Sequence, residues 1–454
     1  MSILHRESEP VHTLISKGMH DVHGTNVDIA ENDVWNVIQA SESVAASGEG
    51  SILTFPLPAV TNQLTLLKDS WIRVQGYYLL AADCIPSVPT NASVSVPPFL
   101  STVIFSTYEL TINGTVVRAN TDSLTPYATL ISNLMNQEYG EFATQDFTQG
   151  NIYDTTDQGF TDNYSLNLGA AARRTLYLAG TAVTSPTRTF SMTVKFSDIF
   201  DCPDAIPPNS EIRLAVTRNQ NTCLIQGSAT DVGTVDPIYK MTAATWMVRR
   251  LRLTEAAASA LDMSWEKRAA RMNFQRIRQT SRLISTGATS LQVNNVLPGS
   301  RPSRVVVAVI PTIHMTSAAS PYYGCTLEGN TVMTDIYLTL DGSRRYPLQS
   351  FSQLRYANLT HTLSLSEQYE MYKACARVSP ALPASQLTNL NFYFFDTSRS
   401  GDSSGRVWDK VEDVAIQFHA NLSAALTANH SVMVFSFTNA VCEIEHTGAV
   451  TVTM

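Results

Sequence analysis

The chain has 454 residues and a formal net charge of −8, with 44% hydrophobic and only 15% charged residues. This length suits two or three domains of ordinary size, and the apolar fraction is ample for buried cores. The acidic balance, with no run of Lys or Arg longer than two, argues against direct wrapping of a nucleic acid. So low a charged fraction suits a surface that neighbours partly cover, or one rich in Ser, Thr and Asn.

Residues 1–45 are mixed polar and predict an extended N-terminal arm with one short helix at residues 31–39. The chain opens without the apolar core of a signal peptide, and no stretch reaches the ~18 apolar residues of a membrane span, so secretion through a signal peptide is not expected. The cysteines show no CxxC spacing and are expected to be isolated buried thiols. They lie at positions 84, 202, 223, 325, 375 and 442.

Residues 46–253 are dominated by β patterns, with one predicted helix over residues 123–137. The apolar residues of that helix recur at helical spacing: Leu124, Tyr127, Leu130, Ile131 and Leu134. Asn113-Gly114 is a strong turn signal, because both central positions of a type I′ turn need a positive φ. Strands are predicted over residues 51–58, 66–81, 102–119, 175–180, 188–200, 211–219, 221–226 and 245–253.

Residues 254–271 are rich in Ala, Leu, Glu, Lys and Arg and lack Gly and Pro, which predicts a helix connecting two β regions. Residues 272–454 repeat the plan of the first region, with a second helix at residues 363–378 and a tight turn at Asp341-Gly342. Strands are predicted over residues 272–285, 303–315, 334–347, 389–396, 413–423 and 431–446. The expected fold is all-β, a double jelly roll of two eight-stranded antiparallel β-sandwiches with short inserted helices.

Blocks such as FSTYELTINGTVV and DIYLTLDGSRRYPLQ also carry a family resemblance. In their order along the chain they resemble the double jelly-roll major capsid proteins of the adenovirus and tailless-phage lineage, of Polinton, adintovirus and virophage type. The blocks are residues 66–80, 105–117, 123–136, 196–219, 249–253, 302–310, 335–349 and 431–445. The first 45 residues match none of them.

The resemblance implies a major capsid protein whose homotrimers form pseudo-hexameric capsomers of an icosahedral virus shell. Its implied partners are copies of itself, neighbouring capsomers, and minor capsid and penton proteins, and its implied location is the virion. Outward-facing loops would come from residues 84–98, 140–172, 226–238 and 316–334. Two alternatives stay open: a minor capsid or vertex protein of the same virus type, and a double-sandwich carbohydrate-active or carbohydrate-binding protein. Because a vertex subunit usually needs one jelly roll, two halves favour the major subunit.

Paired carboxylates are the strongest candidates for catalysis, because they perform general acid–base work in glycan-cleaving enzymes. Asp198, Asp201 and Asp204 cluster beside prolines, and Glu412 neighbours Asp413. Aspartates beside proline are more typical of turns, and the second pair is more typical of a solvated strand start. No enzymatic activity and no catalytic residue are therefore predicted.

Histidines give a weak metal signal. His20 and His23 lie on the arm, and His314 and His419 lie on strand patterns, but the H-x-H pair of a bicupin site is absent from the sequence. No metal or cofactor is predicted.

The remaining candidate functional residues form aromatic and basic clusters. The aromatic clusters could stack sugars or bases, but core packing is the favoured interpretation for strand patterns. They are Tyr77-Tyr78, Phe392 to Phe395, and Phe435 with Phe437. The basic cluster around the connecting helix is expected to pair with acidic residues of a neighbouring subunit, to stabilise the base of the capsomer, or to form solvated helix faces. It consists of Arg249, Arg250, Arg252, Arg268 and Arg271.

Overall fold

The structure is a computed structural model that describes part of the chain. The described residues are 8–11, 14, 30–79, 94–97, 99–120, 125–136, 168–178, 189–196, 202, 204–224, 226–227, 238–297, 301–312, 333–346, 365–376, 392–398 and 414–453. Most of the four predicted outward loops lies outside them.

The described strands and helices follow in chain order. The strands before the connecting helix are β1 (Ser8–Pro10), β2 (Ala30–Gln39), β3 (Ile52–Leu57), β4 (Gln63–Leu79), β5 (Val94–Ser95), β6 (Phe105–Ile112), β7 (Thr115–Asn120), β8 (Phe190–Val194), β9 (Ile212–Arg218), β10 (Gln226–Gly227) and β11 (Ile238–Leu253). Those after it are β12 (Ala269–Ile284), β13 (Ser290–Leu297), β14 (Arg304–Pro311), β15 (Met333–Leu340), β16 (Ser343–Tyr346), β17 (Phe392–Asp396), β18 (Val414–Leu422), β19 (His430–Ile444) and β20 (Val450–Thr453). The helices are α1 (Leu100–Val103), α2 (Thr125–Asn136), α3 (Leu168–Arg173), α4 (Glu255–Trp265) and α5 (Leu365–Cys375).

The first sandwich consists of two four-stranded sheets, ordered β2-β11-β4-β8 and β3-β9-β6-β7, in which all neighbours are antiparallel. Along each strand, side chains point alternately to the two faces, so every second residue turns inward. Leu53 and Phe55 of one sheet share a core with Val74 and Trp246 of the other. A separate two-stranded ladder joins β5 to β10.

The second sandwich pairs the four-stranded sheet β13-β18-β15-β16 with a six-stranded sheet. The larger sheet has β12-β19-β14-β17 at its centre, with β20 added antiparallel to the end of β19 and β1 added parallel to the start of β12. Leu338 and Phe418 meet Val307 and Val434 in its core.

Both sandwiches use the same connectivity. Without the short strands β1, β5, β10 and β20, each half has eight strands in chain order. In each half the first, eighth, third and sixth strands form one sheet, and the second, seventh, fourth and fifth form the other. The inserted helices also match, since α2 and α5 both follow the fifth strand and precede the sixth. This is jelly-roll connectivity twice over, which confirms the predicted fold class.

The central sheet of the second sandwich is covered on both faces. Its inner face meets its own sandwich, and its outer face shares a core with both α2 and α5. Every residue of β14 is therefore buried, as the continuous apolar run of residues 303–315 predicts. Since α2 belongs to the first half, the core on the outer face of this sheet joins the two halves.

A helix follows the first sandwich, as predicted from residues 254–271, although the helix is shorter than predicted. It begins after Thr254, whose Oγ1 accepts a hydrogen bond from the Ala257 backbone N–H at 3.2 Å. It ends at Trp265, and β12 begins at Ala269.

Three local predictions were wrong. Residues 31–39 form a strand rather than a helix, because they pair along β11 at the edge of the first sandwich. Residues 174–178 form a π-helical turn and residues 221–224 a 3₁₀ turn, where strands were expected. Four further strands, β1, β5, β13 and β20, were not predicted. The two tight turns were correct, with positive φ at Asn113 (49°), Gly114 (78°), Asp341 (50°) and Gly342 (74°).

Candidate functional site

Asp204 is the one member of the predicted carboxylate clusters that the structure describes. It is buried, and its Oδ2 accepts hydrogen bonds from the backbone N–H of Asn273 at 2.9 Å and from Asn273 Nδ2 at 3.1 Å. The carboxylate thus fastens a turn of the first half to β12 of the second, which supports the structural interpretation. Asp198, Asp201, Glu412 and Asp413 lie outside the described residues.

His419 is the described member of the candidate histidines. It lies on β18, where its ring stacks on Tyr337 with centroids 4.8 Å apart and planes 9° apart. Burial lowers the pKa of this imidazole below its ordinary value. His20, His23 and His314 lie outside the described residues, and among those described no group of three or more His, Cys, Asp and Glu side chains is placed to hold a metal.

The aromatic clusters lie in the cores, as their strand patterns favoured, except for Tyr77, which is only partly buried. Tyr78 is fully buried, and its Oη donates to the Leu224 carbonyl at 3.0 Å, while burial raises its pKa well above the usual range. Along β17, Phe392 and Phe394 face the core that joins the halves, and Tyr393 and Phe395 face the core of the second sandwich. Phe435 and Phe437 join the first of these two cores.

Arg249 and Arg250, neighbours in the basic cluster, lie in different environments. Arg249 is partly exposed and bridges Asp33 on β2 and Asp69 on β4, with N–O distances of 2.9 and 2.6 Å. Hydrogen bonds to these carboxylates raise the pKa of Arg249 further above its ordinary value. Arg250 is buried and donates to the Pro58 carbonyl at 2.6 Å. Arg249 thus has acidic partners within its own sheet, and Arg250 has a backbone partner.

An exposed aromatic surface lies beside Arg249, on the outer face of the sheet β2-β11-β4-β8. The register places Trp35 opposite Arg249 and Met247 opposite Trp71, so four side chains from three strands are neighbours. The rings of Trp35 and Trp71 are 4.9 Å apart between centroids, and Trp35 remains 43% exposed and Val37 56% exposed. We call this surface the tryptophan face: Trp35, Val37, Trp71, Met247 and Arg249.

The tryptophan face was missed from the sequence, because Trp35 fell in the segment predicted as a helix. The alternation in β2, where Val34, Asn36 and Ile38 are less exposed than their neighbours, was the available signal. This alternation could be recognised as that of a strand only once its pairing with β11 was known.

Hydrogen bonds fix the two halves to each other at several points besides Asp204. The Tyr372 hydroxyl of α5 donates to the Leu134 carbonyl of α2 at 2.6 Å. Trp265 Nε1 of α4 donates to the Ile444 carbonyl of β19 at 2.8 Å. Further bonds join Gln279 Nε2 to Asn120 Oδ1 at 2.8 Å and Asn113 Nδ2 to the Gly448 carbonyl at 3.0 Å. Together with the shared core, they hold the sandwiches in one fixed arrangement.

No helix in the described part of the chain is both long and apolar enough to cross a membrane.

The fold is similar to that of solved viral capsid structures over nearly the whole chain. A chain of the Sputnik virophage, solved by cryo-electron microscopy, matches with a TM-score of 0.56 at 11% identity, covering 95% of this chain and 90% of that one. The Faustovirus major capsid protein matches with a TM-score of 0.54 at 9% identity, covering 92% of each chain. The mavirus major capsid protein matches with a TM-score of 0.53 at 13% identity, covering 94% of this chain and 92% of that one.

No family model and no curated protein matches the sequence. At these low identities the likeness concerns the fold: this chain is a double jelly roll of the kind found in those major capsid proteins. The resemblance stated from the sequence is confirmed at that level.

Proposed function

We propose that this chain is a major capsid protein, a structural subunit whose homotrimers form pseudo-hexameric capsomers of an icosahedral virus shell. The observation that carries the proposal is the repeated jelly roll: two sandwiches of identical strand order, held in a fixed arrangement, in a fold shared with viral major capsid proteins.

The repeat gives this function a physical basis. A contact between different surfaces of identical subunits closes into a ring when the rotation between them divides a full turn. Three chains with two similar sandwiches each then present six similar units around the ring. Such a capsomer can occupy a six-coordinated position in a shell although its true symmetry is three-fold.

A capsid subunit of this kind also has a defined domain organisation and defined partners. We propose two jelly-roll domains, residues 46–253 and 272–454, joined by residues 254–271, with β2 completing the first. Copies of the chain are the main partners, with minor capsid and penton proteins at other positions, and the location is the virion. The net charge of −8 opposes direct contact with the genome.

We further propose that the chain has no enzymatic activity. Of the candidate groups that the structure describes, the Asp204 carboxylate is committed to Asn273, and His419 is stacked on Tyr337. Both engagements favour a structural role for these side chains.

Light scattering coupled to size-exclusion chromatography tests the proposal on the purified full chain. The expected mass is close to three times the chain mass of 49.8 kDa. Negative-stain electron microscopy of that peak is expected to show hexagonal particles. A monomer at all concentrations tested, or particles without hexagonal outline, would contradict the proposed function.

A further inference from the structure

The two inserted helices occupy the same place in chain order, between the fifth and the sixth strand of each half, but they pack on different strands and differ in coverage. Helix α2 is buried from Pro126 to Met135, because it lies against β6 of its own half and against the outer face of the second sandwich. Helix α5 packs on β17 of its own half, but one side remains exposed. That side carries Ser366, Glu370, Lys373 and Ala374.

The two central sheets differ in the same way. The outer face of β12-β19-β14-β17 is covered by α2 and α5, and its Phe435 and Val306 are fully buried. The outer face of the corresponding sheet β2-β11-β4-β8 carries the tryptophan face, with Trp35 43% and Val37 56% exposed. The exposed sheet face therefore has a covered counterpart at the equivalent position of the repeat, and the exposed side of α5 has a covered counterpart, α2, in chain order.

We infer that the tryptophan face binds a second copy of this chain, and that the exposed side of helix α5 of that copy covers it. The contact repeats between copies the one that α2 makes with the second sandwich inside a single copy. In a ring of three, the tryptophan face of each copy would contact α5 of one neighbour, and its own α5 would contact the tryptophan face of the other neighbour. This inference rests on the proposed function, because it requires copies to associate.

The chemistry of the tryptophan face suits such a contact. Trp, Met and Arg are enriched in the centres of protein interfaces, whereas most surface positions carry smaller or more strongly hydrated residues. The Arg249 bridge to Asp33 and Asp69 places both signs of charge beside the rings, and α5 presents both signs through Glu370 and Lys373. A face less apolar than its covered counterpart also suits a surface that meets water before assembly.

A matched pair of variants of the full chain tests the surface. Val37→Glu places a carboxylate on the tryptophan face, and Ile52→Glu makes the same kind of change at an equally exposed position, 56%, on β3 of the opposite sheet. Light scattering is expected to show a trimer for wild type and for Ile52→Glu. For Val37→Glu we expect at least a tenfold weaker association, and therefore monomers at the same concentration.

Crosslinking provides a second measurement that does not depend on a disruptive change. Val37→Cys combined with Glu370→Cys is expected to give covalent dimers and trimers with a short bismaleimide on a denaturing gel. Each single variant, and Ile52→Cys with Glu370→Cys, is expected to give only the background of the native cysteines.

The outcomes separate the two proposals. A trimeric wild type whose Val37→Glu variant is equally trimeric, or whose Val37–Glu370 cysteine pair crosslinks no more than the control pair, would overturn the proposed surface and leave the capsid function standing. A wild type that stays monomeric would overturn both. If Val37→Glu does not fold, the crosslinking comparison alone decides.

Discussion

The hydroxyl of Tyr372 donates a hydrogen bond to the backbone carbonyl of Leu134 at 2.6 Å, although the two residues are 238 positions apart in the chain. Tyr372 lies in α5 and Leu134 in α2, and both are fully buried in the core that joins the halves. The bond therefore ties the inserted helix of one sandwich to that of the other.

Replacing Tyr372 tests how much this hydrogen bond contributes to stability. Tyr372→Phe keeps the ring and removes the donor, so we expect a loss of about 1 kcal/mol in the free energy of unfolding, the usual value for one hydrogen bond. Urea unfolding followed by tryptophan fluorescence would measure it. Tyr369→Phe, on the same helix and only half-buried, is the control, and an equal loss there would show that the Tyr372 bond is not the cause.

Arg304 is expected to be more costly to replace. It is fully buried, and its guanidinium donates to the Cys375 carbonyl at 2.9 Å and to the Gln275 side chain. Arg304→Met removes two charge-assisted hydrogen bonds, so the expected destabilisation is about 3 kcal/mol or more. Arg282→Met, at an exposed position of β12, is expected to change stability by less than about 0.5 kcal/mol. Equal midpoints of urea unfolding for the two variants would contradict the assignment.

Gly76 on β4 lies where two strands approach closely. A Cβ at this position would be 2.5 Å from Tyr239 Oη and 2.6 Å from the Lys240 carbonyl oxygen. Because the second atom belongs to the backbone of the paired strand, Gly76→Ala is expected to cost about 1–3 kcal/mol. Gly48→Ala, which has open space around it, is the control in differential scanning calorimetry. A melting temperature unchanged by Gly76→Ala would mean that the strands can separate without cost.

His419 predicts a pH dependence of stability. Its pKa is lowered by burial, so the folded chain binds fewer protons at this site than the unfolded chain. The stabilisation is complete above the unfolded pKa of about 6.5 and is lost as the pH falls through the folded pKa. His419→Phe keeps an aromatic ring on Tyr337 and is expected to reduce the fall in melting temperature between neutral and mildly acidic pH.

A second variant separates titration from stacking at His419. His419→Gln also lacks a titrating ring, so it should reduce the same pH dependence, but it should also lower the melting temperature at neutral pH because the stacked contact is lost. Two variants with the full pH dependence of the wild type would show that other groups cause it.

The sequence was informative wherever local chemistry decides the structure. Asn113-Gly114 and Asp341-Gly342 predicted tight turns because few residue pairs accept two positive φ angles in succession. The apolar spacing of residues 123–137 predicted α2, which spans Thr125–Asn136.

Predictions from local sequence were wrong where pairing partners in the sheet determine the structure. In β2 the spacing of Val34, Val37 and Ile38 imitates a helix, but hydrogen bonds to β11 along nearly the whole strand favour the extended form. In β13, the polar residues of SLQVNNVL hide a strand whose pairing with β18 is continuous from Ser290 to Leu297.

The candidate residues follow the same division. The structural role of Asp204 was inferred from its neighbouring prolines, but its partner Asn273 is 69 positions away and has no local signature. The tryptophan face depends on three strands that are brought together only by the sheet order, so it could not be predicted from any single segment of the sequence.

The double coverage of β14 has a consequence for the independence of the two halves. Val306, Phe435 and their neighbours are kept from water by α2, which belongs to the other half of the chain. Residues 272–454 alone would therefore expose an apolar sheet face, and association through that face would compete with correct folding. Although each half has the complete connectivity of a jelly roll, we expect the second to depend on the helix of the first for correct folding.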